Sequence, residues 1–331
     1  MPALAETINV FDYRRLELYD QNVSIMRTIY IILVVILSST FSFGQNDRLY
    51  TMFVFNKLQY NPAYAGSAEI LNLGVHYRHQ WQGLEGAPRT ITAFGHTPIA
   101  GGRSGVGLSI ISDEIGLFNS TYTRFDYAYR IEFKNQTKLS MGLSAEYDFT
   151  RFDWSRADLV DNVDDVIPFG SPSSSAFNAG MGVYFSGPNF YVGASIPRFL
   201  RNAITSENFR EFTDLNGWRA YYLMGGAIFK LSSKVHIRPS LLVSYVENAP
   251  REIDFNLSLL FLESFWIGGS YRLGESVDAF VQFPLSKKIK LAVGVDYALT
   301  ELNAFTRGSF EVMVEYSFLQ TNNKVNNIRF F

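Results

Sequence analysis

Strict alternation of apolar and polar residues, recurring from residue 71 to residue 318, constrains this chain more than any other feature. In LNLGVHYRHQW, Leu71, Leu73, Val75, Tyr77 and Trp81 share one side, while Asn72, Gly74, His76, Arg78 and Gln80 share the other. Period two places successive side chains on opposite faces of a strand, and a helix of 3.6 residues per turn cannot produce it. RFDYAYRIEF sets Phe125, Tyr127, Tyr129, Ile131 and Phe133 against Arg124, Asp126, Arg130 and Glu132. Runs from Leu139, Phe177, Val235, Ile289 and Phe310 repeat the pattern. Stretches near 89–98, 218–231 and 253–262 read as strands without securely assigned faces, and the total comes to about fourteen strands.

Alternation alone fits both a soluble sandwich and a membrane barrel, so the connections have to decide. Every second link is short: GGRS, KNQT, SGPN, LSSK, ES and PLSKK. The links between them are mostly longer, with two very long ones at 151–175 and 198–217. Short turns at one end and long loops at the other characterise outer-membrane barrels, built from an even number of antiparallel strands of roughly 9–11 residues. Closure also removes sheet edges that lipid cannot solvate. The expected fold class is therefore all-β, a transmembrane antiparallel β-barrel. With 29 Phe and 19 Tyr against 4 Trp, the aromatic usage suits strands and, for Tyr, a membrane interface.

Residues 26–44 read as a signal peptide: Arg27 supplies the basic n-region, Ile29 to Leu37 a short apolar core, and Ser42 and Gly44 the small residues before Gln45. Residues 1–25 are polar and read as an upstream extension outside the mature protein. The remaining expected divisions are an N-terminal periplasmic or plug segment at 45–68, the barrel at 69–319 and a tail at 320–331.

Several chemistries are excluded or left without support. The chain has no cysteine, which removes disulfides, thiolate metal sites and cysteine nucleophiles. A net charge of -2 offers no basic stripe for nucleic acid. Asp158, Asp161, Asp164 and Asp165 carry oxygen ligands but lack the spacing and terminal Glu of a calcium loop, so a solvated outer loop is expected there. His76 and His79 fall on opposite faces of one strand and cannot share a metal. No catalytic, cofactor-binding or metal site is expected, and GGRSGVG lacks the Lys and helix of a phosphate loop.

The inward faces are informative. Arg78, Arg124, Arg130, Glu132, Glu146, Asp148, Arg238, Arg272, Asp296, Glu311 and Glu315 fall on them and include both signs. They either pair across the interior to brace a closed barrel or line a wet pore. Gly74, Gly142, Gly182 and Gly294 on the same faces fit sharp curvature or a polypeptide lying close against the wall. Before the first strand, DRLYTMFVFNKLQYNPAYAGS has Tyr50, Phe53, Val54 and Leu58 at helix-like spacing, and Asn61-Pro62 is expected to end any helix. The segment docks at the periplasmic mouth or tucks inside as a plug, and it is also a candidate contact for a periplasmic partner.

LQYNPAYAGS after a signal peptide, HYRHQWQGLEGAPRT, GGRSGVGLSI, RFDYAYRI and the ending FEVMVEYSF, with a tail closing in IRFF, together resemble the PorP/SprF family of type IX secretion outer-membrane proteins of Bacteroidota. The resemblance spans nearly the whole mature chain. It implies a non-enzymatic barrel serving secretion and gliding motility in the bacterial outer membrane. Implied partners are a secreted adhesin recognised by its C-terminal signal domain, periplasmic ring proteins, and an OmpA-like peptidoglycan-linked lipoprotein. Candidate partner-binding residues are Asn61, Pro62, Tyr64 and Gly66 at the mouth, and Trp81, Gly86 and Pro88 in the first outer loop. The rival expectation is a transport channel for a small hydrophobic or polar solute, resembling fatty-acid transporters; a soluble secreted binding domain is the third.

Overall fold

A computed structural model describes residues 49–68, 70–153, 172–200, 219–247 and 249–318. The strands are β1 (Asn72–His79), β2 (Arg89–Ile99), β3 (Ser104–Ile115), β4 (Phe118–Glu132), β5 (Lys138–Phe152), β6 (Ser173–Ser186), β7 (Phe190–Arg198), β8 (Ala220–Ala227), β9 (Phe229–Lys230), β10 (Val235–Val246), β11 (Glu252–Phe261), β12 (Phe265–Arg272), β13 (Ser276–Pro284), β14 (Ile289–Ala298) and β15 (Ser309–Ser317). β8 and β9 are one stave interrupted at Ile228, because both pair with β10 in a single unbroken register, Gly226 opposite Ser240 and Phe229 opposite Ile237. Each stave hydrogen-bonds to its neighbours in sequence, and β15 closes on β1 with Ser317 opposite Asn72 and Phe310 opposite His79. The result is a closed antiparallel barrel of fourteen staves. No helix among the described residues is long and apolar enough to cross a membrane.

The inside-outside division follows the alternation. Val75, Phe125, Leu143, Phe177 and Val295 face outward and are exposed, as lipid-facing residues must be. His76, Arg124, Asp126, Asn256, Ser258 and Glu311 face inward and are buried. The strands left unassigned acquire faces: Thr90, Thr92, Phe94 and His96 point in from β2, Tyr222 and Met224 from β8, and Asp254 and Asn256 from β11. Glu132 departs from expectation, since it ends β4 and is exposed at the barrel rim rather than enclosed. Asp158, Asp161, Asp164 and Asp165 lie outside the described residues.

Three neighbouring strands, β4, β5 and β6, are the longest, at 15, 15 and 14 residues, and β5 and β6 flank the long loop at 153–172. By the usual arrangement of outer-membrane barrels, the long-loop end is extracellular and the short-turn end periplasmic. The apolar core is unusual in position. It lies within the lumen, where Tyr50, Met52, Phe53, Leu58 and Tyr60 of the N-terminal segment pack against Phe94, Tyr184, Tyr222, Met224, Leu242 and Phe280 of the wall.

Candidate functional site

Residues 49–68 thread the barrel interior, from beside Glu311 and Thr92 at the outer half to beside Gly105 at the short-turn end. Its fold is not the helix that the spacing of Tyr50, Phe53, Val54 and Leu58 suggests. Backbone turns lead into two short 3-10 helices, Lys57–Gln59 and Pro62–Tyr64. Pro62 starts the second of these rather than ending an α-helix, because its fixed φ suits a first helical position whose missing N–H is not needed. Asn61 caps it, its Oδ1 accepting from the Ala63 N–H at 2.9 Å.

The wall holds this segment by its backbone. Glu311 accepts from the Thr51 N–H at 2.8 Å and the Met52 N–H at 3.2 Å, while its other contacts are His76 at 3.0 Å and the Arg78 guanidinium. Arg124 donates to the carbonyls of Leu58 and Gln59, and its Nε lies 3.3 Å from Asp126. Arg130, six residues on and thus on the same face, donates to the carbonyls of Ala65 at 3.1 Å and Gly66 at 3.3 Å. Ser195 donates to the Tyr60 carbonyl at 2.7 Å, and Asn61 Nδ2 donates to the Val183 carbonyl at 2.9 Å. A segment with little regular structure thereby has much of its buried backbone paired, which enclosure would otherwise penalise, while the side-chain oxygens of Thr51, Asn56 and Gln59 are buried without a hydrogen bond.

Space for it comes from wall glycines. A Cβ on Gly142 would overlap the Ala63 backbone, and one on Gly182 would overlap the Asn61 side chain. Gly105 similarly admits the Ala65 carbonyl. Gly66 itself needs its glycine, at φ +73° with the Gly105 backbone against it. The other two glycines named from the sequence differ: Gly74 receives the ring of Phe94, and Gly294 makes only ordinary contact with Met52 and Thr51.

Lys57 is the segment's buried cation. It donates to the Val54 carbonyl at 2.9 Å and lies over the rings of Tyr191 and Tyr64, at 4.9 and 5.3 Å from their centroids. Elsewhere in the lumen, charges pair wall to wall: Arg78 with Asp296 at 2.8 Å, and Arg272 with Asp254 at 3.3 Å and Asp278 at 3.9 Å. Bracing thus accounts for Arg78 and Arg272, whereas Arg124 and Arg130 serve the segment, a role that the strand pattern did not separate from bracing. Among the described residues no His, Asp and Glu cluster could hold a metal.

The predicted partner-binding residues divide into two places. Asn61, Pro62, Tyr64 and Gly66 are buried within the lumen and engage the protein's own wall, so they offer no exposed mouth to a partner. Tyr64 packs edge-on against His96 and Tyr184. Trp81 and Pro88 are half-buried and Gly86 is exposed in the β1–β2 loop at the opposite end. That loop ties its neighbours together: the Gln82 N–H donates to the Gly308 carbonyl at 2.8 Å, and the Gly116 N–H donates to the Gly86 carbonyl at 2.9 Å. Trp81 sits at φ 49°, uncommon for a bulky residue.

Solved barrels resemble this fold at low identity. Omp33 of Acinetobacter baumannii is 12% identical with a TM-score of 0.45, covering 76% of this chain and 98% of its own. The CymD monoaromatic hydrocarbon channel is 11% identical with a TM-score of 0.49, covering 84% and 95% respectively. A FadL homologue of Pseudomonas aeruginosa is 10% identical with a TM-score of 0.44, covering 81% and 94%. Among curated proteins no match is found. The family model described as type IX secretion system membrane protein PorP/SprF matches residues 42–316, which include the lumenal segment and all fourteen staves apart from the last residue of β15. The chain belongs to the PorP/SprF family of type IX secretion membrane proteins.

Proposed function

We propose that this protein is a non-enzymatic, partner-binding component of the type IX secretion machinery in the outer membrane. It engages a secreted adhesin through the cargo's C-terminal signal domain, together with periplasmic ring or peptidoglycan-linked proteins, and supports export or surface attachment of the cargo. The observation that carries this reading is the occupied lumen. A solute channel needs an open path, yet here Glu311, Arg124 and Arg130 each hold the backbone of a segment packed into the barrel's core. The rigid, loop-bearing exterior is then the part available to partners, and the β1–β2 loop with Trp81, Gly86 and Pro88 is our choice for the cargo side.

Affinity isolation of the full-length protein from detergent-solubilised membranes tests this. The expected result is co-isolation of a secreted adhesin or a periplasmic ring protein, reduced when Trp81 is replaced by Ala. Recovery of the barrel without either, combined with steady solute flux through the purified protein in bilayers, would overturn the reading in favour of transport.

A further inference from the structure

The short-turn end carries a ring of unpaired positive charge that neither lumenal packing nor barrel closure uses. Arg103 lies in the β2–β3 turn, Lys134 in the β4–β5 turn, Lys230 and Lys234 flank the β9–β10 turn, and Lys287 and Lys288 lie in the β13–β14 turn. All six are exposed, and none forms an ion pair among the described residues. Among the described residues, the exposed acids at that end are Glu132 and Glu263. At the long-loop end, by contrast, exposed charges of both signs alternate, with Arg89, Arg251 and Arg307 beside Glu85 and Glu301.

Two features of the ring identify its occupant. The charged turns are spread around the barrel rather than gathered on one side, which suits an annular ligand better than a protein of limited footprint. Three of the four turns also adjoin exposed apolar side chains: Phe133 precedes Lys134, Phe229 and Leu231 bracket Lys230, and Leu285 lies two residues before Lys287. Apolar side chains in contact with lipid tails set these ammonium groups at headgroup depth, where a lysine is attracted to lipid phosphate. The short-turn end meets the inner leaflet, so the phosphate is that of a phospholipid. We propose that this rim is a binding surface for anionic phospholipid headgroups of the inner leaflet. It stands independently of what the loops or the lumenal segment do in secretion.

The full-length protein, purified in neutral detergent and mixed with equal amounts of phosphatidylglycerol and phosphatidylethanolamine, tests this by native mass spectrometry of retained lipid. The wild type is expected to retain phosphatidylglycerol in excess by about fivefold or more, an excess that shrinks as salt rises. A variant with Lys134, Lys230, Lys234, Lys287 and Lys288 all replaced by Gln should lose that preference while keeping the gel-mobility change of an intact barrel on heating. A control with Arg89, Arg251 and Arg307 replaced by Gln should retain it. Equal retention of both lipids, an excess unaffected by the five substitutions, or an excess removed equally by inorganic phosphate at the same concentration as the lipid would each overturn the proposal. So would loss of an acidic periplasmic protein from the five-fold variant without any phosphatidylglycerol preference in the wild type, which would make the rim a protein-docking surface.

Discussion

Single residues decide whether the lumen is filled. Gly182 accommodates Asn61 only because it lacks a Cβ, and Asn61 joins the Ala63 N–H to the Val183 carbonyl of the wall. Gly182→Val should therefore expel Asn61, at a loss on the order of 1–3 kcal/mol per buried group left unpaired. Limited proteolysis of the purified barrel is expected to cut the N-terminal segment in this variant and spare it in the wild type; equal protection would refute the close packing. Glu311 makes a second test, since four donors converge on its carboxylate: two backbone N–H groups of the segment, His76 and Arg78. Removing one partner of a buried, hydrogen-bonded pair typically destabilises by about 3–5 kcal/mol. Glu311→Ala should lower the temperature at which the folded barrel converts to its unfolded gel mobility. The Glu311→Ala, Arg78→Ala double variant should fall short of the sum of the single losses, because both remove the same interaction.

Among the elements, the strands were legible and the lumenal segment was not. Period two in RFDYAYRIEF located β4 and put Arg124 and Arg130 on its inner face, because strand geometry alone sets the side a residue takes. DRLYTMFVFNKLQYNPAYAGS gave no comparable signal. Its apolar residues at 50, 53, 54 and 58 fit a helix, yet the segment folds as turns and 3-10 helices, whose short-range internal hydrogen bonds leave further N–H groups and carbonyls for Glu311, Arg124, Arg130 and Ser195 of the wall. Glu132 shows the limit of a pattern from the other side: it keeps the alternation of β4, but the strand has by then reached the rim, where the inward face is no longer enclosed. The segment's obstruction of the lumen is testable as an element. Deleting residues 49–66 should turn a barrel of low conductance in planar bilayers into one with steady, large conductance. If the intact protein already conducts as much as the deletion, the segment does not obstruct the path.

At the scale of the whole molecule, the outer surface is apolar, the inner surface carries the paired polar groups together with the apolar wall residues that pack the lumenal segment, and closure of β15 on β1 leaves no edge for lipid to desolvate. The sequence by itself determined the strand number, the sidedness of most strands and the difference between short-turn and long-loop ends. Each of these depends on local periodicity and on spacing along the chain, which neighbours in space do not alter. Only the tertiary structure decided that residues 49–68 run inside the barrel, that Gly142 and Gly182 make room for them, and that Arg124 and Arg130 clasp their carbonyls. These contacts join residues from 64 to 121 positions apart, from Gly66 with Arg130 to Asn61 with Gly182, along with the 260-residue span between Thr51 and Glu311. Which inward groups face one another across a lumen is set by how the sheet closes, and closure leaves no trace in any single stretch of sequence.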